Sequence, residues 1–146
     1  LDKVVPVNKG VGESKKKAGI QADREMMGNR RILDSDYEGD SVEIIDIDGF
    51  VKEHNICPGV IKMDIEGYES NAIEGAIDTI KKYRPILLIS IYHKPEDFFE
   101  IKPRLEKDIG NYTFCIRRLT YLCPLSEVCL IGYPREQLTK ITEEDG

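Results

Sequence analysis

Apolar positions along the chain follow two rhythms that meet near residue 60. Val60-Ile61-Lys62-Met63 is a short apolar run broken by one lysine, and a helical period begins directly after it. Ile65, Tyr68, Ala72, Ile73, Ala76, Ile77, Ile80 and Tyr83 recur in steps of three and four, which places them on one face of a single helix. Asp64, Glu66 and Glu69 stand at its start, where carboxylates complement the positive end of the helix dipole. Arg84-Pro85 ends it, because proline cannot continue a helix and pushes its predecessor towards extended backbone. Ile86 to Tyr92 is then apolar on both alternations, as expected of a strand covered on both faces. Strand, helix and strand make a parallel crossover unit.

The flanks read less cleanly. Val42 to Ile47 alternates as a strand, and Asp48 suits the N-cap of a short helix carrying Phe50 and Val51 inward, with Gly59 in the turn to Val60. Val4 to Asn8 reads as a short strand whose Pro6 fits a sheet edge, followed by a turn at Gly10-Val11-Gly12. A Gly-x-Gly without a third glycine or a following helix is a weak phosphate-loop signal. Residues 14–40 are polar without a clean period and read as loop, with Met26-Met27 as core filler. Pro95 opens a further helix with Phe98, Phe99, Ile101 and Leu105 as its apolar residues, and Pro103 predicts a kink or a division into two. Residues 112–119 and 127–133 form two more strands joined by a turn through Pro124, and the acidic residues 139–146 form a flexible tail.

Composition narrows the class. A chain of 146 residues holds one domain, and its formal charge of −6 argues against a general nucleic-acid or anionic-membrane binder. No apolar run approaches the roughly 20 residues needed to span a bilayer. A start at Leu1-Asp2-Lys3 implies a processed, engineered or incomplete chain. Cys57, Cys115, Cys123 and Cys129 contain no Cys-x-x-Cys pair, and His54 and His93 are too scattered to complete a zinc cluster, so no metal site is expected. Cys115 and Cys129 fall in apolar runs as small buried hydrophobes, which fits a reducing, cytoplasmic setting.

Candidate chemistry collects where the two central strands end. Lys62 and Asp64 are two apart and project to the same side, and the next strand ends in Tyr92-His93-Lys94-Pro95-Glu96-Asp97. Open parallel sheets bind ligands outside those carboxyl ends. Spacing alone equally admits Asp64 and Glu66 as helix caps and His93 as a solvated turn residue.

The blocks Ile61-Lys62-Met63-Asp64-Ile65-Glu66-Gly67-Tyr68-Glu69, Glu74-Gly75-Ala76 and Ser90-Ile91-Tyr92-His93-Lys94-Pro95-Glu96-Asp97 resemble the FkbM family of S-adenosylmethionine-dependent methyltransferases, most strongly from Val42 to Pro134. The resemblance implies an α/β, Rossmann-like class I methyltransferase sheet with an antiparallel strand pair near the C-terminus. It aligns Val4 to Val7 with the third strand, so the first strands and the glycine-rich turn are missing and the sheet is incomplete. Residues 1–134 would be the C-terminal portion of the methyltransferase domain, and 135–146 its tail. The implied activity is transfer of a methyl group from S-adenosyl-L-methionine to an oxygen, less readily a nitrogen, of a small or glycosylated acceptor. His93 is the general-base candidate, since imidazole titrates near operating pH. Asp64 would orient that ring or face the positive cofactor, and Lys62 would balance Asp64. Glu66 and Tyr92 are the candidate substrate contacts. The main cofactor site would lie outside this chain. The alternative is a non-catalytic methyltransferase-like domain serving binding or assembly.

Overall fold

The computed structural model describes residues 3–22, 30–33, 41–120 and 127–137. The predicted crossover is its centre. Strand β5 (Val60–Met63) lies parallel to β6 (Ile86–Ser90), with Lys62 opposite Leu88 and Met63 opposite Ile89. β6 continues antiparallel to β8 (Val128–Pro134), which pairs antiparallel with β7 (Tyr112–Arg118), giving the sheet order β5-β6-β8-β7. The predicted C-terminal antiparallel pair is therefore present, while the Pro124 turn and residues 139–146 lie outside the described residues.

The long helix read over residues 65–83 is two helices, α2 (Glu69–Glu74) and α3 (Ile77–Tyr83). Gly75 separates them for a packing reason. A side chain there would collide with the Gly12 carbonyl and the Asp46 side chain, and the Gly75 carbonyl accepts the Asp48 N–H at 2.8 Å. The apolar period survives the break because both helices cover the same core, with Ala72, Ile73, Ala76 and Ile80 fully buried. Before β5, Asp46 and not Asp48 caps α1 (Ile47–Glu53), accepting Gly49 N–H at 2.6 Å. Asp48 reaches across instead and accepts the N–H groups of Asp78 and Thr79 at 3.2 and 2.7 Å, capping α3 from outside its own segment.

A second sheet has the order β1-β4-β2-β3, from β1 (Gly10–Val11), β2 (Lys16–Ala22), β3 (Arg30–Leu33) and β4 (Ser41–Ile45). It corrects three expectations. Residues 4–9 carry no regular structure, and Val4 and Val5 are exposed. The glycine turn itself contributes the strand that runs parallel to β4, with Gly10 opposite Ile44. The polar stretch read as loop holds β2 and β3 in antiparallel pairing, while Met26-Met27 lies outside the described residues.

Helix α4 (Pro95–Ile109) runs through Pro103 as one element. It buries Asp97, Ile101, Leu105 and Ile109, a four-residue spacing that turns Phe98 and Phe99 outward. Those two aromatics are exposed and pack edge to face on each other. Arg84 fastens the far end of the fold. Its guanidinium donates to the carbonyls of Ile109, Gly110 and Asn111 and to the carboxylate of Glu136, and lies 4.3 Å above the Tyr112 ring. Cys129 is buried, Cys115 half-buried and Cys57 exposed.

Candidate active site

The turn after β5 builds one wall of the rim. Ile65 accepts the Tyr68 N–H at 3.3 Å, and the two residues between them have φ of 57° (Glu66) and 89° (Gly67), the φ signature of a type I′ turn. This reversal starts α2 immediately, so that Asp64, Glu66 and Glu69 are presented from one tight corner. The second wall is the end of β6, where Ser90 is followed by Ile91, Tyr92 and His93 before Pro95 starts α4. Because β5 and β6 are parallel neighbours, both corners meet at the same carboxyl rim, as the spacing predicted.

His93 is where the walls join. Its side chain is only 9% exposed, and its Nδ1 lies 2.7 Å from Oε1 of Glu69. A carboxylate can only accept, so Nδ1–H is the donor and the lone pair of the neutral ring sits on Nε2. Nε2 makes no hydrogen bond among the described residues. It faces Asp64 Oδ1 at 3.7 Å and Glu66 Oε2 at 3.9 Å. The Tyr92 ring packs against the imidazole with centroids 4.1 Å apart.

Asp64 is heavily engaged. Lys62 Nζ donates to Oδ2 at 3.0 Å, and the Tyr92 hydroxyl donates to Oδ1 at 3.4 Å. Burial acts against its charge, but the hydrogen bonds from Lys62 and Ser90 and the lysine's charge prevail and hold the carboxyl below its usual range. Tyr92 is pushed up to about 12, first by burial and then by the charge of Asp64. All five residues singled out from the sequence, Lys62, Asp64, Glu66, Tyr92 and His93, thus stand in one cluster.

Two further carboxyl groups belong to it. Glu69 is fully buried, and its Oε1 accepts the Ile65 N–H at 3.0 Å as well as Nδ1 of His93. Asp97, also buried, accepts the Ser70 hydroxyl at 3.4 Å. One oxygen of each, Glu69 Oε2 and Asp97 Oδ2, has no partner among the described residues. Burial, and next the charge of Glu69, push the Asp97 carboxyl above its ordinary range. Both acids occupy core-facing positions of apolar stripes, Glu69 ahead of Ala72, Ile73 and Ala76, and Asp97 ahead of Ile101 and Leu105. A charge on the wrong side of a stripe is the signal that could have found them.

Asp64, Glu69 and His93 each offer one ligating atom within 4.8 Å of the others, a set that could gather a cation although no metal spacing was read from the sequence. The 2.7 Å contact between Glu69 and Nδ1 leaves no room for an ion between those two atoms, so such a cation would have to use Nε2. The described residues offer no cradle for a nucleotide-type cofactor at Gly10-Val11-Gly12. A Cβ on Gly12 would meet Ile44 and Tyr68 at 2.8 and 2.9 Å, so protein atoms fill that space.

A mixed α/β domain with its polar cluster at the carboxyl ends of parallel strands defines the broad class. The particular family follows from comparison. Residues 2–122 match the Methyltransferase FkbM domain, and the chain belongs to that family. It is also similar to the crystal structure of methyltransferase FkbM from Methylobacillus flagellatus KT at 2.20 Å resolution, with 26% identity and a TM-score of 0.65. The likeness covers 86% of this chain and 27% of that one, so the chain spans about a quarter of the length of that relative. No curated protein matches. Among the described residues, no helix is long and apolar enough to cross a membrane.

Proposed function

We propose that this chain contributes the acceptor-activating side of an S-adenosylmethionine-dependent methyltransferase acting on an oxygen of a small or glycosylated acceptor. The observation that carries this reading is the open Nε2 of His93. It is a proton-accepting nitrogen with no hydrogen bond among the described residues, facing the rim of a domain whose family transfers methyl groups.

S-adenosylmethionine supplies an electrophilic methyl group, and since Ile44 and Tyr68 crowd Gly12 no cradle for it is assigned at the Gly10-Val11-Gly12 turn, so the proposal covers the acceptor end only. Displacement at a methyl carbon needs an aligned nucleophile and removal of its proton. His93 Nε2 takes the proton of the acceptor hydroxyl. Asp64, held in place by Lys62 and Tyr92, supplies fixed negative charge beside the resulting imidazolium. Glu66 and Tyr92 border the position the hydroxyl occupies and bind the acceptor.

The test is His93→Ala in the intact enzyme, with transfer of a labelled methyl group as the readout. Turnover should fall about 10²–10⁴-fold, the usual contribution of a positioned base, with little change in cofactor affinity. Near-normal turnover at saturating acceptor would remove His93 from the chemistry.

A further inference from the structure

The acids around His93 divide into two kinds. Asp64 and Glu66 face Nε2 at 3.7 and 3.9 Å, beyond hydrogen-bond distance, and both are partly exposed. Glu69 faces the opposite nitrogen at 2.7 Å and is inaccessible to solvent. A fully buried carboxylate is costly unless it is paired and hydrogen-bonded. Here the pairing is with an imidazole whose other nitrogen opens on the rim.

We propose that Glu69, and not Asp64, is the positioning residue of His93. It fixes the ring in the Nδ1–H tautomer and holds Nε2 towards the acceptor. This rests on the reading of His93 as the base and names the group behind it. The geometry supports the assignment from three sides. Glu69 Oε1 is itself anchored by the Ile65 N–H at 3.0 Å, so its position is set by the turn and not by a free rotamer. Asp64 does not do the same work, because it stands at the other nitrogen, 3.7 Å from Nε2 and beyond hydrogen-bond distance. Asp97 completes the arrangement. Its buried carboxyl and that of Glu69 each keep one oxygen without a partner among the described residues. Burial, and next the charge of Glu69, push the Asp97 carboxyl above its ordinary range, whereas Glu69 is the acid in direct contact with the His93 ring.

The experiment reads the ring nitrogens of the 146-residue chain directly by imidazole ¹H–¹⁵N NMR. The chain has two histidines, and His54→Gln leaves only the signals of His93. The expected result is a slowly exchanging, far-downfield Nδ1 proton on His93 with Nε2 unprotonated in the neutral ring. Glu69→Ala should abolish that resonance and return the ring to a solution-like mixture of tautomers. Glu69→Gln keeps an acceptor oxygen but removes the charge, so it should retain the fold and move the proton upfield. Should Glu69→Ala fail to fold, Glu69→Gln decides alone. An unprotonated Nδ1 in the parent chain, or a proton that does not move in Glu69→Gln, overturns the assignment. In the intact enzyme, Glu69→Gln should lower kcat about 10²-fold, the scale of a misplaced catalytic group, with the KM for the cofactor unchanged. Glu69-dependent tautomer selection combined with normal turnover in His93→Ala would leave the positioning intact and sink the base.

Discussion

Gly67 is the residue on which the geometry of the rim turns, and replacing it with alanine tests that geometry. Its φ of 89° lies in the left-handed region, and it follows Glu66 at 57° in a turn closed by the Tyr68 N–H. An L residue pays roughly 1–2 kcal/mol for left-handed backbone. Alanine recovers about 0.4–1 kcal/mol by restricting the unfolded chain. A Cβ on Gly67 would also meet Lys94 Cε at 2.9 Å and Cγ at 3.3 Å. Lys94 is exposed and flexible, so it swings away at small cost, but it then uncovers a buried turn. The balance is a destabilisation of about 1 kcal/mol, or a fall in Tm of roughly 3 °C for a domain of this size. Glu66→Asn at the adjoining position is the control, since asparagine tolerates left-handed backbone and should be neutral or mildly stabilising. Urea denaturation followed by far-UV circular dichroism measures both. A Gly67→Ala midpoint equal to that of the parent, with an unchanged m-value, would show that the turn stores no such preference.

Two further substitutions address the far end of the fold and the buried acid. Arg84→Ala removes hydrogen bonds to three main-chain carbonyls and to the Glu136 carboxylate, and should cost about 2–4 kcal/mol by chemical denaturation. Arg84→Lys should recover less than half of that, because an ammonium cannot reproduce the planar fork; full recovery would refute the role assigned to the fork. For Asp97 the folded-state pKa is raised, by burial first and then by Glu69. The native state therefore binds the proton more tightly than the unfolded chain, and stability is lost as pH rises through the folded value. Asp97→Asn should be more stable than the parent at about pH 7 and lose that advantage near pH 3, below the ordinary aspartate range. Parallel pH–stability curves for the two proteins would contradict it.

The parts of the fold that could be read from the sequence are those in which local pattern and tertiary burial agree. β5, β6 and the crossover between them bury Ile61, Met63, Leu87, Ile89, Ala72, Ile73 and Ile80 in one core, so their order and parallel pairing followed from the pattern. The break at Gly75 was hidden because α2 and α3 share one core face, and a period of 3.6 does not register a change of axis. β2 and β3 were hidden for the opposite reason, since the polar, lysine-containing β2 gives no alternation to detect. In Asp46-Ile47-Asp48 two equally good caps stand two residues apart. Only the three-dimensional arrangement shows that the first caps its own helix and the second caps α3. The cluster is legible from strand ends and resemblance, but in the sequence Glu69 reads only as a dipole-complementing acid. Its contact with His93 spans 24 residues and leaves no local trace.

The rim's protonation pattern narrows the choice of base. Lys62 is engaged as a hydrogen-bond donor to Asp64. Tyr92, raised to about 12, keeps its proton at neutral pH and acts only as a donor. Asp64 is held below the usual carboxylate range, so it stays charged and is a poorer proton acceptor than a free carboxylate. Glu69 is closed off from solvent and engaged through Oε1, and Asp97 is buried with its carboxyl pushed above the ordinary range by burial and by the charge of Glu69. Glu66 and Nε2 of His93 remain, 3.9 Å apart at the open side. As chemical classes, an imidazole suits proton transfer to and from a hydroxyl near neutrality better than a carboxylate does, which favours Nε2 as the base. The acids then have separate tasks. In the proposed mechanism Glu69 holds the ring from behind, Asp64 supplies fixed charge in front, and Glu66 meets the acceptor.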